Sequence, residues 1–239
     1  MSLHTSLPNL APGTHLSAKL AMVIPCYNEA HRINTMAFLG AVDQYAALHL
    51  IFVNDGSTDK TMDRLLALQN LRPKKISVLN LPQNCGKAEA VRQGLLTAIK
   101  LDLEYVGYWD ADLATLMYAI EDMLKVGDRL PKLQVVFGSY RNMIGPKGHG
   151  SILRQFTSRI YAFLARIAVG LPLGDTQCGA KIIRNTQALK KSIAHPFVAG
   201  WLFDVELFTR IARKCEEPYR SFFEFPLVEW HEVRLRGQR

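Results

Sequence analysis

Apolar residues along the chain gather in short runs separated by longer amphipathic stretches. The runs are Lys19–Ile24, closed by Pro25, then Leu48–Val53, Ile76–Leu79, Tyr105–Trp109 and Leu133–Gly138. Their length and their β-branched and aromatic content predict strands. Between them apolar positions recur at helical spacing. Ile33, Met36, Ala37 and Gly40 share one predicted face, and Met62, Leu65, Leu66 and Gln69 a second. Ala88, Val91, Leu95 and Ile99 form a third stripe, and Met117, Ile120 and Leu124 a fourth. Further on, Ala180–Ile183 is another short apolar run. A last helix opens at Trp201–Leu207, with Phe208, Ile211 and Ala212 as its inner stripe.

Strands alternating with helices predict parallel pairing through right-handed crossovers, an α/β domain of Rossmann-like type. No Gly-x-Gly-x-x-Gly follows the first strand, which disfavours a dinucleotide oxidoreductase. Polar clusters follow the strands instead: Pro25-Cys26-Tyr27-Asn28-Glu29, Asn54-Asp55-Gly56-Ser57, Asn84-Cys85-Gly86-Lys87 and Asp110-Ala111-Asp112. All four fall beyond the carboxyl ends of predicted strands, the edge where open α/β sheets bind ligands.

Alternation sends the Asp110 and Asp112 side chains to one side of the chain. Two carboxylates so placed repel each other unless a cation lies between them, and oxygen ligands favour Mg²⁺ or Mn²⁺. Asp55, in an Asp-Gly turn, is a candidate acceptor for a base or ribose, although Asp-Gly is also an ordinary turn. Lys87 suits a phosphate as a point charge. It is no P-loop lysine, because Ala88 stands where Ser or Thr is needed.

Gly138-Ser139-Tyr140-Arg141 follows the fifth strand, and Asn142–Gly150, with three glycines and a proline, reads as a loop. Beyond it Arg154 and Ser158 lie one helical turn apart and could converge with Arg141 on a second phosphate. The surrounding apolar positions, Ile152 to Ile167, suit either core packing or a bilayer surface. Asp204 and Glu206 fall in the first turn of the last helix, where the dipole favours acids. Trp201 beside them suits stacking on a sugar.

The chain has 239 residues, a formal net charge of +8 and 21% charged residues, so it suits one folded domain and favours anionic partners. The four cysteines form no Cys-x-x-Cys pair, which points away from zinc and toward reduced thiols. Met1–Lys19, rich in Ser, Thr, Pro, Gly and His, reads as a flexible N-terminal segment and lacks the pattern of a signal peptide. The longest apolar stretch, Ile160–Leu173, is interrupted by Arg166, so no transmembrane helix is expected. These features suggest a cytoplasmic protein, with peripheral attachment to the cytoplasmic face of a membrane left open. No RNA-binding motif appears, and the charges form no long run, so nucleic acid is not an expected partner.

Taken in order, these segments, together with Asp175-Thr176-Gln177-Cys178-Gly179 and Trp201-Leu202-Phe203-Asp204-Val205-Glu206-Leu207, resemble inverting family-2 glycosyltransferases of the GT-A fold. The likeness runs from about Ala21 to Glu232 and is strongest to the polyprenyl- and dolichyl-phosphate hexosyltransferases. It implies a mostly parallel central sheet flanked by helices over residues 20–239, with a nucleotide-binding half to about 140 and an acceptor-binding half beyond. It implies nucleotide contacts from Pro25, Tyr27, Asn28, Glu29, Asp55, Lys87, Asp110 and Ala111, and an Mg²⁺ or Mn²⁺ site at Asp110 and Asp112. Arg141, Arg154 and Ser158 would receive the acceptor phosphate, and Gln177, Trp201 and Asp204 would line the sugar pocket. Asp110, Asp112, Arg141 and Asp204 would carry the catalysis.

Ala114 stands where the mannosyl-synthase branch often has a Gln ligand, and Leu116 where many relatives have Pro. The pattern therefore resembles the glucosyltransferase branch and tilts the expected donor toward UDP-glucose over GDP-mannose. The chain ends at Arg239, short of the C-terminal transmembrane helices many such relatives carry. The implied activity is transfer of a hexose from a nucleotide sugar to polyprenyl or dolichyl phosphate. A second reading changes the acceptor to a sugar hydroxyl in polysaccharide or glycan assembly, with Asp175, Asp204 or Glu206 as base. A nucleotidyltransferase would need a Gly-rich basic loop that Pro25–Arg32 does not supply. A non-catalytic basic module that binds a membrane or nucleic acid is the remaining alternative.

Overall fold

The computed structural model describes residues 19–139, 176 and 178–227. Seven strands form one sheet: β1 (Leu20–Cys26), β2 (Leu48–Asp55), β3 (Ile76–Leu81), β4 (Tyr105–Trp109), β5 (Val135–Ser139), β6 (Ala180–Arg184) and β7 (Phe222–Pro226). Their order is β3-β2-β1-β4-β6-β5-β7. β1 pairs in parallel with both β2 and β4, and β3 with β2. β6 departs from the parallel expectation and runs antiparallel to both β4 and β5, while β7 pairs in parallel with β5. The sheet is thus mixed at one end and parallel where the polar clusters lie.

Helices α1 (Thr35–Gln44), α2 (Thr61–Leu71), α3 (Lys87–Ala98), α4 (Ala119–Arg129), α5 (Gln187–Ser192) and α6 (Phe203–Ala212) cover both faces. Alternate residues of a strand enter opposite cores. Leu20, Met22 and Ile24 pack with Phe38 of α1, Leu65 of α2 and Ile120 of α4. Ala21 and Val23 pack with Val91 of α3 and Phe208 of α6. Burial on both faces explains why the strands read as continuous apolar runs rather than alternating ones.

The stripes predicted for α3 and α4 are the buried faces, but the first two are rotated. Met36 is 76% exposed, and α1 buries Phe38, Ala41 and Val42 instead. Leu66 is likewise exposed, and α2 buries Leu65 and Leu68. An apolar residue at the right spacing carries no mark of which adjacent stripe meets the sheet. The edge strand β7, only half-buried, carries no strong sequence signature.

Trp109, at the end of β4, is fully buried, and its indole N–H donates to the Thr115 carbonyl at 2.7 Å. This bond closes the turn that carries Asp110 and Asp112. Truncation to Ala would cost about 3–5 kcal/mol in packing alone and release that turn.

Candidate active site

β1 leads outward on one side to β2 and β3 and on the other to β4, so the sheet reverses its winding between β1 and β4. A topological switch of this kind leaves a crevice beyond the carboxyl ends of the two strands. Here the crevice is a cavity of about 290 Å³ lined by Pro25, Cys26, Tyr27, Glu29 and Arg32 after β1 and by Asp110, Ala111 and Asp112 after β4. Asp55, Asn84, Gly86, Lys87 and Ala90 complete it. Lys87 and Ala90 belong to α3, whose N-terminus opens here with the positive end of its dipole.

Each loop is pinned. The Asn28 side chain accepts from the Thr58 amide at 2.9 Å, and the Ser57 hydroxyl accepts the Asn28 amide at 3.0 Å. Asn28 sits at φ 53°, a left-handed turn that Asn tolerates. It is the one residue of the predicted nucleotide set that does not line the cavity; it holds the loop instead. The Thr61 hydroxyl accepts the Glu29 amide at 2.7 Å, and Asp59 accepts the Ala30 amide at 3.1 Å.

Asp55 is buried, and its two carboxylate oxygens accept the Cys85 and Gly86 amides at 2.8 and 2.9 Å. Its first task is therefore to hold the Asn84–Lys87 segment. Gly56 beside it has φ 63°, and a Cβ there would lie 2.3 Å from the Gln83 backbone, so only Gly admits this approach.

The Asp-Ala-Asp segment lies in a turn rather than on the strand, yet the expected alternation persists. Asp110 and Asp112 are part-exposed, while Ala111 and Leu113 are buried. The Asp110 amide donates to the Gly179 carbonyl at 3.0 Å, joining the turn to the segment before β6. Lys87 Nζ stands 2.5 Å from Asp110 Oδ1. The two form a close pair, in which both charge and a side-chain hydrogen bond from Lys87 act. Asp112 Oδ1 accepts the Ala114 amide at 3.1 Å, and Oδ2 faces Arg32 Nη2 at 3.4 Å.

Burial raises the Glu29 carboxyl above its ordinary value; Arg32 opposes the rise, and Asp112, Asp59 and Asp110 add to it. Burial works against the Lys87 charge, but Asp110, Asp204 and Asp112 outweigh it and raise its pKa.

Two carboxylates side by side on one turn of the cavity wall suit a hard divalent cation. Among the described residues no group of three or more His, Cys, Asp or Glu could hold a metal alone, so ligand oxygens would have to complete the shell.

Asp204 is buried at the start of α6, with Oδ1 3.0 Å from Nζ of the fully buried Lys181. Burial drives the Asp204 carboxyl up, against the pull of Lys87. Asp204 thus lies within electrostatic reach of Lys87. Trp201 is 73% exposed and lines no part of the cavity. Glu206 accepts the Val198 and Ala199 amides at 2.9 and 2.8 Å and pairs with Arg210 at 2.5 Å. It therefore braces the loop before its helix. Arg141, Arg154, Ser158, Asp175 and Gln177 lie outside the described residues.

Sequence reasoning missed Arg32 and Lys181. Arg32 stands one turn after Glu29 in sequence, a spacing that pairs charges on one helical face, and the two side chains do meet, at 3.2 Å. Nothing in the sequence marked Lys181, a lone cation in an apolar run.

The fold is that of GT-A glycosyltransferases, with a carboxylate-lined cleft at its switch point, and the comparisons agree. The glycosyl transferase family 2 model matches residues 21–193, so the chain belongs to that family and is a glycosyltransferase. It is similar to dolichyl-phosphate β-glucosyltransferases. It is 29% identical to that of Saccharomyces cerevisiae, over 90% of this chain and 67% of the relative. It is 32% identical to that of Drosophila melanogaster (91% and 68%) and 31% identical to ALG5C of Trichomonas vaginalis (88% and 63%). The chain therefore spans about two thirds of the length of the curated relatives it matches.

Among solved structures, Mycobacterium tuberculosis glucosyl-3-phosphoglycerate synthase with phosphoglyceric acid matches with TM-score 0.67 at 19% identity, over 92% of this chain and 74% of that one. A Pyrobaculum calidifontis mannosyltransferase in complex with GDP-Man and Mn²⁺ matches with TM-score 0.61 at 21% identity, over 98% and 62%. Both share the fold.

Proposed function

We propose that this chain transfers glucose from UDP-glucose to dolichyl or another polyprenyl phosphate, with inversion at the anomeric carbon and a bound Mg²⁺ or Mn²⁺. The observation that carries the reading is the pairing of Asp110 and Asp112 with Lys87 and Arg32 in one cavity at the switch point. Alternating charges of this kind suit a metal-bound diphosphate. The similarity to dolichyl-phosphate β-glucosyltransferases supports the sugar and the acceptor.

An acceptor phosphate oxygen attacks the anomeric carbon while the bond to the diphosphate breaks, and UDP leaves with the electron pair. A phosphate monoester, with a second pKa of about 6, is largely ionised near neutral pH and needs no strong base. The metal supplies charge neutralisation for the leaving diphosphate. Lys87 adds to that neutralisation, and Pro25, Tyr27 and Glu29 hold the base and ribose against the cleft wall. Arg141, Arg154 and Ser158 take the acceptor phosphate, offsetting its repulsion from the diphosphate, while Gln177 serves the sugar and Asp204, buried against Lys181, acts on the site through the charge of Lys87. A lipid acceptor requires contact with a membrane surface, which the net charge of +8 favours. No helix among the described residues is long and apolar enough to cross one.

Calorimetry with UDP and GDP, with and without Mn²⁺, tests the donor site, and transfer of labelled glucose to dolichyl phosphate tests the reaction. UDP binding that needs Mn²⁺, with label in the lipid fraction, is expected. Binding of neither nucleotide would remove the reading, and label entering only a glycan hydroxyl would replace the acceptor.

A further inference from the structure

Each carboxylate of the Asp-Ala-Asp turn faces a resident cation. Lys87 stands on Asp110 at 2.5 Å and Arg32 on Asp112 at 3.4 Å. The Ala114 amide already occupies Asp112 Oδ1, so Arg32 faces the oxygen left for a metal. The other end of the guanidinium is held by Glu29 at 3.2 Å. The pairing is loose on the Asp112 side and incomplete elsewhere: Arg32 Nε and Glu29 Oε2 are both buried without hydrogen-bond partners. The Arg32 side chain is 31% exposed, which leaves it room to reorient into the cavity.

We propose that Arg32 is a positioning residue that guards the metal site and then serves the diphosphate. It covers the open Asp112 oxygen until a nucleoside diphosphate arrives, and then transfers to the phosphate oxygens while the metal takes its place. The proposal rests on the nucleotide-sugar reading above. A divalent cation entering alone meets two resident positive charges and too few protein ligands. A diphosphate changes both terms together. It supplies oxygen ligands to the metal, and it offers Arg32 and Lys87 an anion that suits a guanidinium fork better than one distant carboxylate oxygen. Metal and nucleotide therefore enter as a coupled pair, and the coupling is reciprocal. Glu29 keeps the arginine at the site throughout, which gives that half-buried carboxylate a task besides contacting ribose.

The test is a Mn²⁺ titration of the full chain, with free Mn²⁺ read by its electron paramagnetic resonance signal, with and without saturating UDP. In the unmutated protein UDP raises Mn²⁺ affinity by about tenfold or more, within the usual range of allosteric coupling. Arg32→Gln binds Mn²⁺ alone about fivefold tighter than the unmutated protein, and its gain on adding UDP shrinks. Arg32→Lys, which keeps the charge, stays near the unmutated protein without UDP. The proposal is overturned if Arg32→Gln binds Mn²⁺ alone no tighter while still binding UDP. It is also overturned if UDP leaves the Mn²⁺ affinity of the unmutated protein unchanged, a result that needs no variant to fold. If the unmutated protein binds no UDP with Mn²⁺ present, the nucleotide-sugar reading falls as well, which separates the two failures.

Discussion

Gly179 lies so close to Asp110 that a Cβ at position 179 would fall 2.1 Å from Asp110 Oδ2. Its carbonyl also accepts the Asp110 amide at 3.0 Å. Gly179, just before β6, is thus the back wall of the carboxylate turn. Gly179→Ala is expected to re-aim Asp110 and lower transfer by about 10²-fold, the cost of a displacement near 1 Å. Circular dichroism should show an intact fold while kcat and Mn²⁺-dependent UDP affinity fall together.

Asp110→Asn and Asp112→Asn remove charge but keep shape. Asp112→Asn retains an oxygen for the Ala114 amide, so the turn survives. Each is expected to abolish Mn²⁺-dependent UDP binding and to cut transfer by about 10²–10³-fold. A chelator should do the same to the unmutated protein, with recovery on adding Mn²⁺ or Mg²⁺.

The Lys181–Asp204 pair is buried beside the Tyr108 ring, which lies 4.9 Å from Lys181 Nζ. Asp204→Asn alone strands the buried Lys181 ammonium and is expected to cost about 3–5 kcal/mol, whereas after Lys181→Met the raised Asp204 carboxyl can take up a proton and the loss is smaller. The double variant should cost clearly less than the sum. Urea unfolding of the four proteins measures the coupling, and additive losses would show that the pair is not a unit.

Asp59 accepts the Thr61 and Ala30 amides at 2.9 and 3.1 Å. Slight burial tends to raise its carboxyl, but these bonds and the Thr61 hydroxyl outweigh that and hold it below the ordinary 3.8. The folded chain therefore binds this proton less readily than the unfolded chain. The stabilisation is present above pH 3.8 and is lost as pH falls through the lowered value. Asp59→Asn should flatten the acid limb of the stability curve and weaken UDP binding through the Glu29 loop. Thermal melts across pH check this.

Trp201 is exposed in the described structure, so Trp201→Ala should change stability by less than about 0.5 kcal/mol. If the ring stacks on the donor sugar, KM for UDP-glucose rises while the Kd for UDP stays constant. If both stay constant, the ring has no part in the sugar pocket.

Much of the site was legible because ligands of α/β sheets collect at strand ends, and strand ends are marked in sequence. Pro25, Tyr27, Glu29, Asp55, Lys87, Asp110, Ala111 and Asp112 all follow apolar runs, and all line the cavity. The local role of Glu206 was not legible in this way. An acid in a first helical turn looks the same whether it faces a substrate or caps the loop before it, and only the Val198 and Ala199 amides decide.

The sequence by itself determined the alternation of strands and helices, the chemistry of the strand-edge clusters and the family. These depend on local periodicity and on residue types read in order. The tertiary structure alone decided which faces of α1 and α2 are buried, that β6 runs antiparallel, and that Arg32, Lys87 and Gly179 meet the Asp-Ala-Asp turn from three different segments. Those outcomes depend on the order of strands in the sheet, and that order is set by packing between residues far apart in the chain.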